Sequence, residues 1–182
     1  MSPMVKLPLS LEYALLGFVR ERPSYAYEIH QQLERTPVLH LIWRMKQRQT
    51  YALLERLEVE GCLASATVAQ GRRPPRRMLR LTEQGMVAFQ DWLALPVEHG
   101  RDFRQEFMAK LFFAQREGQV TLTVLIARQR TACAAWLAEF QTQLSALPSK
   151  EPLDKLVIQF RIGQLDAILT WLDQCEAVLH SE

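Results

Sequence analysis

The sequence predicts a mainly α chain in two parts, a winged helix-turn-helix N-terminal domain followed by a helical C-terminal dimerisation domain. Apolar residues recur at intervals of three and four along most of the chain, the spacing of amphipathic helices. That period fails once, between Cys62 and Thr82, where two short β-permissive segments flank the turn cluster "GRRPP". Positive charge is concentrated on this same stretch. Three helices followed by one basic hairpin is the order of a winged helix, and the strand-poor remainder reads as a helical arm.

The first helix spans 9–21, with Leu11, Ala14, Leu15 and Phe18 on one stripe and Ser10 as cap, and Pro23 ends it. Ser24 is the expected N-cap of the second, whose inner stripe is Ala26, Ile29 and Leu33, and Pro37 breaks it. The third runs from about Met45 to Glu60 on Leu53, Leu54 and Leu57 and stops at Gly61. "CLASATVAQ" and "RMLRLTE" form the hairpin, with its loop at 71–75, and Thr82 caps a helix that ends before Pro96. "PVEHG" is the domain boundary, which divides the chain into a winged helix-turn-helix domain at 1–95, a linker at 96–100 and a helical domain at 101–182.

Beyond the boundary, Phe103, Phe107, Leu111 and Ala114 line one helix that ends at Gly118, and a second apolar series runs from Leu122 to Leu147. The last helix, Leu153 to about His180, has two apolar faces: Leu156, Phe160, Ala167, Trp171, Cys175 and Val178 on one, Ile158, Ile162, Leu165, Leu169 and Leu172 on the other. Phe160 and Ile162 differ by two residues, roughly 200° around a helix, so the faces are nearly opposite. A terminal helix buries one such face within its own chain and leaves the other for a partner. Ile158, Ile162, Leu165, Leu169 and Leu172 are the expected homodimer seam.

With 182 residues and 48% apolar composition the chain can bury a globular core. Cys62, Cys133 and Cys175 are odd in number and lack metal-ligand spacing, which favours reduced thiols and a cytoplasmic location. No run approaches the about 18 apolar residues of a membrane span, so no membrane partner is expected. No phosphate-cradling glycine loop, metal-spaced cluster or nucleophile motif appears, so neither an enzyme nor a cofactor is expected.

Net charge is only +2, but Arg44, Lys46, Arg48, Arg56, Arg72, Arg73, Arg76, Arg77 and Arg80 stand against three acids, Glu55, Glu58 and Glu60. That local excess of six leaves −4 for the rest of the chain. A basic segment in a near-neutral protein suits a face that meets a polyanion. Stepping the third helix at about 100° per residue from its leucines turns Thr50 inward and sets Lys46 near the inner edge. Arg48 and Ala52 then point outward, Gln49 moderately so, with Gln47 and Tyr51 on the flanks. This half-helix suits the major groove of double-stranded DNA, where Arg bonds guanine and Gln adenine at two points each. Arg44 and Lys46, at the helix start, are placed for phosphates, as are Arg72, Arg73, Arg76 and Arg77 on a tip stiffened by Pro74 and Pro75. The same arginines also fit a helical adaptor or an RNA-binding winged-helix module with an acidic partner. Trp43, Trp136 and Trp171 are candidate walls of a small-molecule effector pocket.

Three stretches resemble the PadR family of bacterial transcriptional regulators. "LEYALLGFVRERPSYAYEIHQQLE" resembles its first two helices, including Tyr27, Glu28 and Ile29. "QTYALLERLEVEGCL" resembles its recognition helix, through Tyr51, Leu54, Leu57, Glu58 and Gly61. "GRRPPRRMLRLTEQG" resembles its wing and the next helix, through Gly71, Arg73, Pro74, Leu81, Thr82 and Gly85, and "RDFRQEFMAKLFFA" is similar to the virulence-activator type of C-terminal domain. The resemblance implies a homodimer whose two heads read a partly palindromic operator, with or without an effector. Ala26 stands where many members have Gly, Ala52 where many have Pro, and Arg48-Gln49-Thr50 where Thr-Leu is common. Such departures imply an operator of this chain's own.

Overall fold

A computed structural model of the chain describes residues 11–70, 73–147 and 152–179. The chain divides into two compact units: one runs to Leu93 and takes in Arg104–Phe113, and the other consists of Ala94–Phe103 with the chain from Ala114 onward. Ser10, Arg72 and His180 lie outside the described residues, and of Arg73 the backbone alone is described.

In the first unit a 3-10 turn, Leu11–Tyr13, leads into α1 (Ala14–Glu21). Ser24 caps nothing. Together with Tyr25 it forms a short strand, β1, and its hydroxyl bonds back to the Arg22 carbonyl at 3.0 Å. The Glu28 carboxylate takes the cap of α2 (Ala26–Arg35) instead, accepting the Tyr25 N–H at 2.9 Å. Pro37 begins a helix as well as ending one: α3 (Pro37–Ile42) carries it in its first turn, where a missing N–H costs nothing. The helix expected third is thus α4 (Gln47–Val59). Gly61 follows it with φ of +76°, a left-handed residue that lets the chain turn directly into β2.

The strands β2 (Leu63–Gln70) and β3 (Arg73–Leu81) pair antiparallel, Leu63 with Leu81 and Gln70 with Arg73, and β1 joins the other edge of β3. Pairing therefore extends to Arg73 and takes Pro74 and Pro75 into β3, where the sequence suggests a longer loop. The register slips between Val68 and Gln70, the irregularity that absorbs a segment unable to donate regularly. Thr82 caps α5 (Glu83–Ala94), accepting the Gly85 N–H at 2.9 Å while donating to the carbonyls of Gly61 and Cys62.

The core of this unit is built on Leu15, Leu16, Ile29, Leu33, Leu39, Leu57 and Phe89. Phe113 closes it. Its ring meets Phe18 and Phe89 edge-on, at 5.3 and 5.7 Å between centroids, and lies where a Cβ on Gly17 would sit. Phe113 belongs to α6 (Glu106–Glu117), which follows a 3-10 turn at Gly100–Arg104. Lys110, almost fully buried on the same helix, pairs with Glu106 at 3.2 Å and lies over the Trp92 ring, whose indole N–H donates to the same carboxylate. The charge is thereby matched inside the core.

The second unit is a hairpin of two long helices, α7 (Gln119–Ala146) and α8 (Pro152–Leu179). Leu122, Leu125, Ile126 and Cys133 of α7 are buried with Leu165, Leu172 and Cys175 of α8. Arg130 ties the helices together, bonding Asp173 at 2.6 Å and Glu176 at 2.7 Å. Segment 94–103 belongs to this unit and is pinned to α7. Buried Gln129 accepts the Val97 N–H at 2.8 Å and donates to the Val97 carbonyl at 3.4 Å, and Arg128 donates to the Ala94 carbonyl.

The faces of α8 are claimed differently from the sequence expectation, although Cys175 and Trp171 stay at least partly buried as expected. Leu165 and Leu172 of the expected seam are buried within their own chain, and Ile158, Ile162 and Leu169 are half-buried beside them. The free face is Leu153, Leu156, Val157 and Phe160, each more than half exposed and spaced at one, four, five and eight along the helix. The branched aliphatic face is the one that α7 takes up. Periodicity counts apolar faces but does not say which of two is claimed first.

Candidate nucleic-acid interface

Three inward side chains set the orientation of α4. Thr50 and Leu57 are fully buried and Leu54 nearly so, while Thr50 Oγ1 lies 3.1 Å from His30 Nδ1 of α2. The other ring nitrogen of His30 lies 3.4 Å from Glu34. This polar link inside an apolar core fixes the rotation of α4 about its axis. Gln47, Arg48, Gln49, Ala52 and Glu55 are exposed on the opposite side, and Tyr51 is half-buried between.

Gln47, Arg48, Tyr51, Ala52 and Glu55 line one open groove along this face. Gln47 donates to the Tyr51 hydroxyl at 3.0 Å, which stiffens both, and among the described residues Arg48 has no hydrogen bond or ion pair. Gln49 is differently placed from the reading of it as a free base reader. Its carboxamide oxygen accepts the Lys46 N–H at 3.0 Å and so caps its own helix, leaving its NH₂ to donate outward. Arg44 and Lys46 are exposed just before the helix and line a cleft of about 300 Å³ with Leu33, Glu34, His40, Trp43, Met45 and Gln49.

The adjacent wing arginines Arg76 and Arg77 are both engaged. Arg76 sits over the Tyr27 ring at 5.4 Å and donates to its hydroxyl at 3.4 Å, while Tyr27 stacks on Tyr25 at 5.8 Å. Arg77 bonds the Glu58 carboxylate of α4 at 2.6 Å. Its Nη2 and Nε donate to the Ser65 hydroxyl of β2 at 3.2 and 3.4 Å, and that hydroxyl donates to the second Glu58 oxygen at 2.6 Å. Sequence reasoning names both arginines but misses Tyr27, Ser65 and Glu58 as their partners. A signal was available: counting by twos from Leu79 sets Arg77 on the core-facing side of β3, toward the helix that carries Glu58.

The tryptophans separate. Trp43 lines the cleft before α4, and Trp136 lines a different one of about 300 Å³ with His99, Phe140, Arg161 and Gln164. Trp171 is half-buried and lines neither of these clefts.

A helix rotated to present polar side chains, followed by an antiparallel hairpin that carries the exposed cations Arg76 and Arg77, defines a winged-helix protein of the nucleic-acid-binding type. Residues 15–91 match the transcriptional regulator PadR-like family, and residues 103–180 match the virulence activator alpha C-terminal family. The two matches together take in most of the chain, a PadR-like N-terminal part followed by a virulence-activator-type C-terminal part. It is 25% identical over 181 residues to the negative transcriptional regulator PadR of Bacillus subtilis (strain 168), covering 94% of this chain and 98% of that one. Crystal structures of Bacillus subtilis PadR with operator DNA and with p-coumaric acid are 25% and 23% identical to it, with TM-scores of 0.46 and 0.43. Each covers 93% of this chain, and the match spans 98% of the PadR chain. No helix among the described residues is long and apolar enough to cross a membrane.

Proposed function

We propose that this regulator binds operator DNA as a homodimer, its residues 1–95 reading the duplex, 101–182 holding two copies together and 96–100 joining the two. The observation that carries the reading is the outward face of α4, where unpaired Arg48 and small Ala52 stand side by side while Thr50, Leu54 and Leu57 anchor the opposite side. Ala52 admits the helix to the floor of the major groove. Arg48 then reads a guanine edge, flanked by Gln47, Tyr51 and the free NH₂ of Gln49. Arg44 and Lys46 meet phosphates at the helix start, and Arg72, Arg73 and Arg76 meet them from the wing. The relative named for its complex with operator DNA supports this assignment. Such a regulator works in the cytoplasm, by occupying DNA rather than by catalysis.

The second copy docks on the free face of α8. Leu153, Leu156, Val157 and Phe160 offer a continuous apolar strip two turns long, and Gly163 and Ala167 continue it with small residues that permit close helix approach. A small-molecule effector finds its place in the cleft under Trp136, where Phe140 supplies a second ring and Arg161 and Gln164 supply donors. The relative solved with p-coumaric acid makes a phenolic acid the first compound to try.

Selection of bound duplexes from a random pool tests the reading. A selected duplex should bind far better than its scrambled form and lose affinity steeply with salt. Arg48→Ala should cost about 1–3 kcal/mol of discrimination at one base pair per half-site. Arg73→Ala with Arg76→Ala should weaken all duplexes alike, and an unchanged affinity and salt slope in that variant would overturn the role of the wing.

A further inference from the structure

Arg77 and Arg76 are neighbours in sequence and have opposite surroundings. Arg77 is held in a closed triangle drawn from three elements: Glu58 of α4, Ser65 of β2 and itself on β3. Both oxygens of the carboxylate are used, one by Arg77 at 2.6 Å and one by the Ser65 hydroxyl at 2.6 Å. The guanidinium charge is therefore already compensated inside the protein, and moving it to a phosphate would strand Glu58 beside the DNA. Arg76, one residue earlier, is held among the described residues only by the face and hydroxyl of Tyr27. An aromatic face orients a guanidinium without neutralising it, and its other N–H groups stay free to donate.

We infer that Arg77 is a positioning residue, which locks the base of the wing to the recognition helix through Glu58 and Ser65, and that Arg76 on its Tyr27 platform is the phosphate ligand of the pair. This rests on the DNA-binding reading above and divides its wing arginines into two roles. The clamp sets the distance between α4 in the major groove and the wing beside it, so it acts on which duplexes fit both at once. It adds no released counterion.

The test uses the full chain, a selected duplex and its scrambled form, and Kd measured across a salt series. Arg76→Gln should lower the slope of log K against log salt by about 0.9 per head. Arg77→Gln should leave the slope unchanged and reduce the preference for the selected duplex by about two- to fivefold per head, the range for an exposed ion pair. Glu58→Gln should reduce that preference by a similar factor, and the double variant should be no worse than either single one. In the free protein, Glu58→Gln should also speed amide exchange across residues 76–81. A slope that falls in Arg77→Gln as in Arg76→Gln, or losses that add in the double variant, would make Arg77 a phosphate ligand and overturn the assignment. Should the unaltered protein fail to prefer its selected duplex, the DNA-binding reading falls instead, and the exchange measurement still decides whether the clamp exists.

Discussion

Replacing Gln129 by Leu isolates what one buried carboxamide contributes to the second unit. Gln129 is fully buried and Val97 is 2% exposed, so neither group of the contact has water as an alternative partner. The change keeps side-chain volume nearly constant, which limits the packing cost. It removes the acceptor of the Val97 N–H, a 2.8 Å bond, and strands that N–H. A buried unsatisfied donor costs about 1–3 kcal/mol, and the 3.4 Å bond to the Val97 carbonyl is too long to add much. The expected loss is about 1–3 kcal/mol, read as a lower urea midpoint by far-UV circular dichroism at unchanged slope, and assigned to the second unit if the two units unfold separately.

Gln129→Glu supplies the control. When protonated, its carboxyl accepts from the Val97 N–H and donates to the Val97 carbonyl, as the amide does. Burial pushes its folded pKa above the usual carboxylate value of about 4.3. A group raised on folding contributes stability below its unfolded pKa and loses it as pH rises through the folded one. Gln129→Glu should therefore be closer to the unaltered protein at pH 5 than at pH 8. Gln129→Leu within about 0.5 kcal/mol of the unaltered protein, the usual scatter of an uncritical substitution, would refute the reasoning.

Gly85→Ala should destabilise the first unit by about 2–4 kcal/mol in the same titration. Its Cβ would overlap the Cys62 backbone carbonyl oxygen, which cannot swing aside, and would disturb the Thr82 cap. All three thiols are buried and burial pushes each pKa up, that of Cys175 to about 11, so a disulfide reagent at pH 8 should label none until denaturant is added. Rapid labelling of Cys175 in the native protein would contradict its burial. Leu156→Glu with Phe160→Glu should convert a dimer to a monomer at micromolar concentration in sedimentation without loss of helix, whereas Ile158→Glu should unfold α8 from α7 first.

Local signals carried far in this chain. The 3.6 period located the helices except short α3, Gly61 and Thr82 marked the end of α4 and the start of α5, and the outward residues of α4 followed from its leucines alone. These features depend on a few successive residues and on backbone geometry that any chain obeys. What stayed hidden was every choice between equivalent partners. Ser24 and Glu28 both fit the cap of α2, and pairing of Ser24 with Leu79 across the sheet left the cap to Glu28. Both faces of α8 are apolar, and only packing against α7 shows that Leu165 and Leu172 are taken while Leu156 and Phe160 are free. "RRPPRR" reads as one patch of like charge, but the fold sets Glu58 beneath Arg77 and Tyr27 beneath Arg76. Sequence determined where the elements begin and what each face offers. Tertiary structure decided which face meets which, because a contact energy belongs to two groups brought together by the rest of the chain.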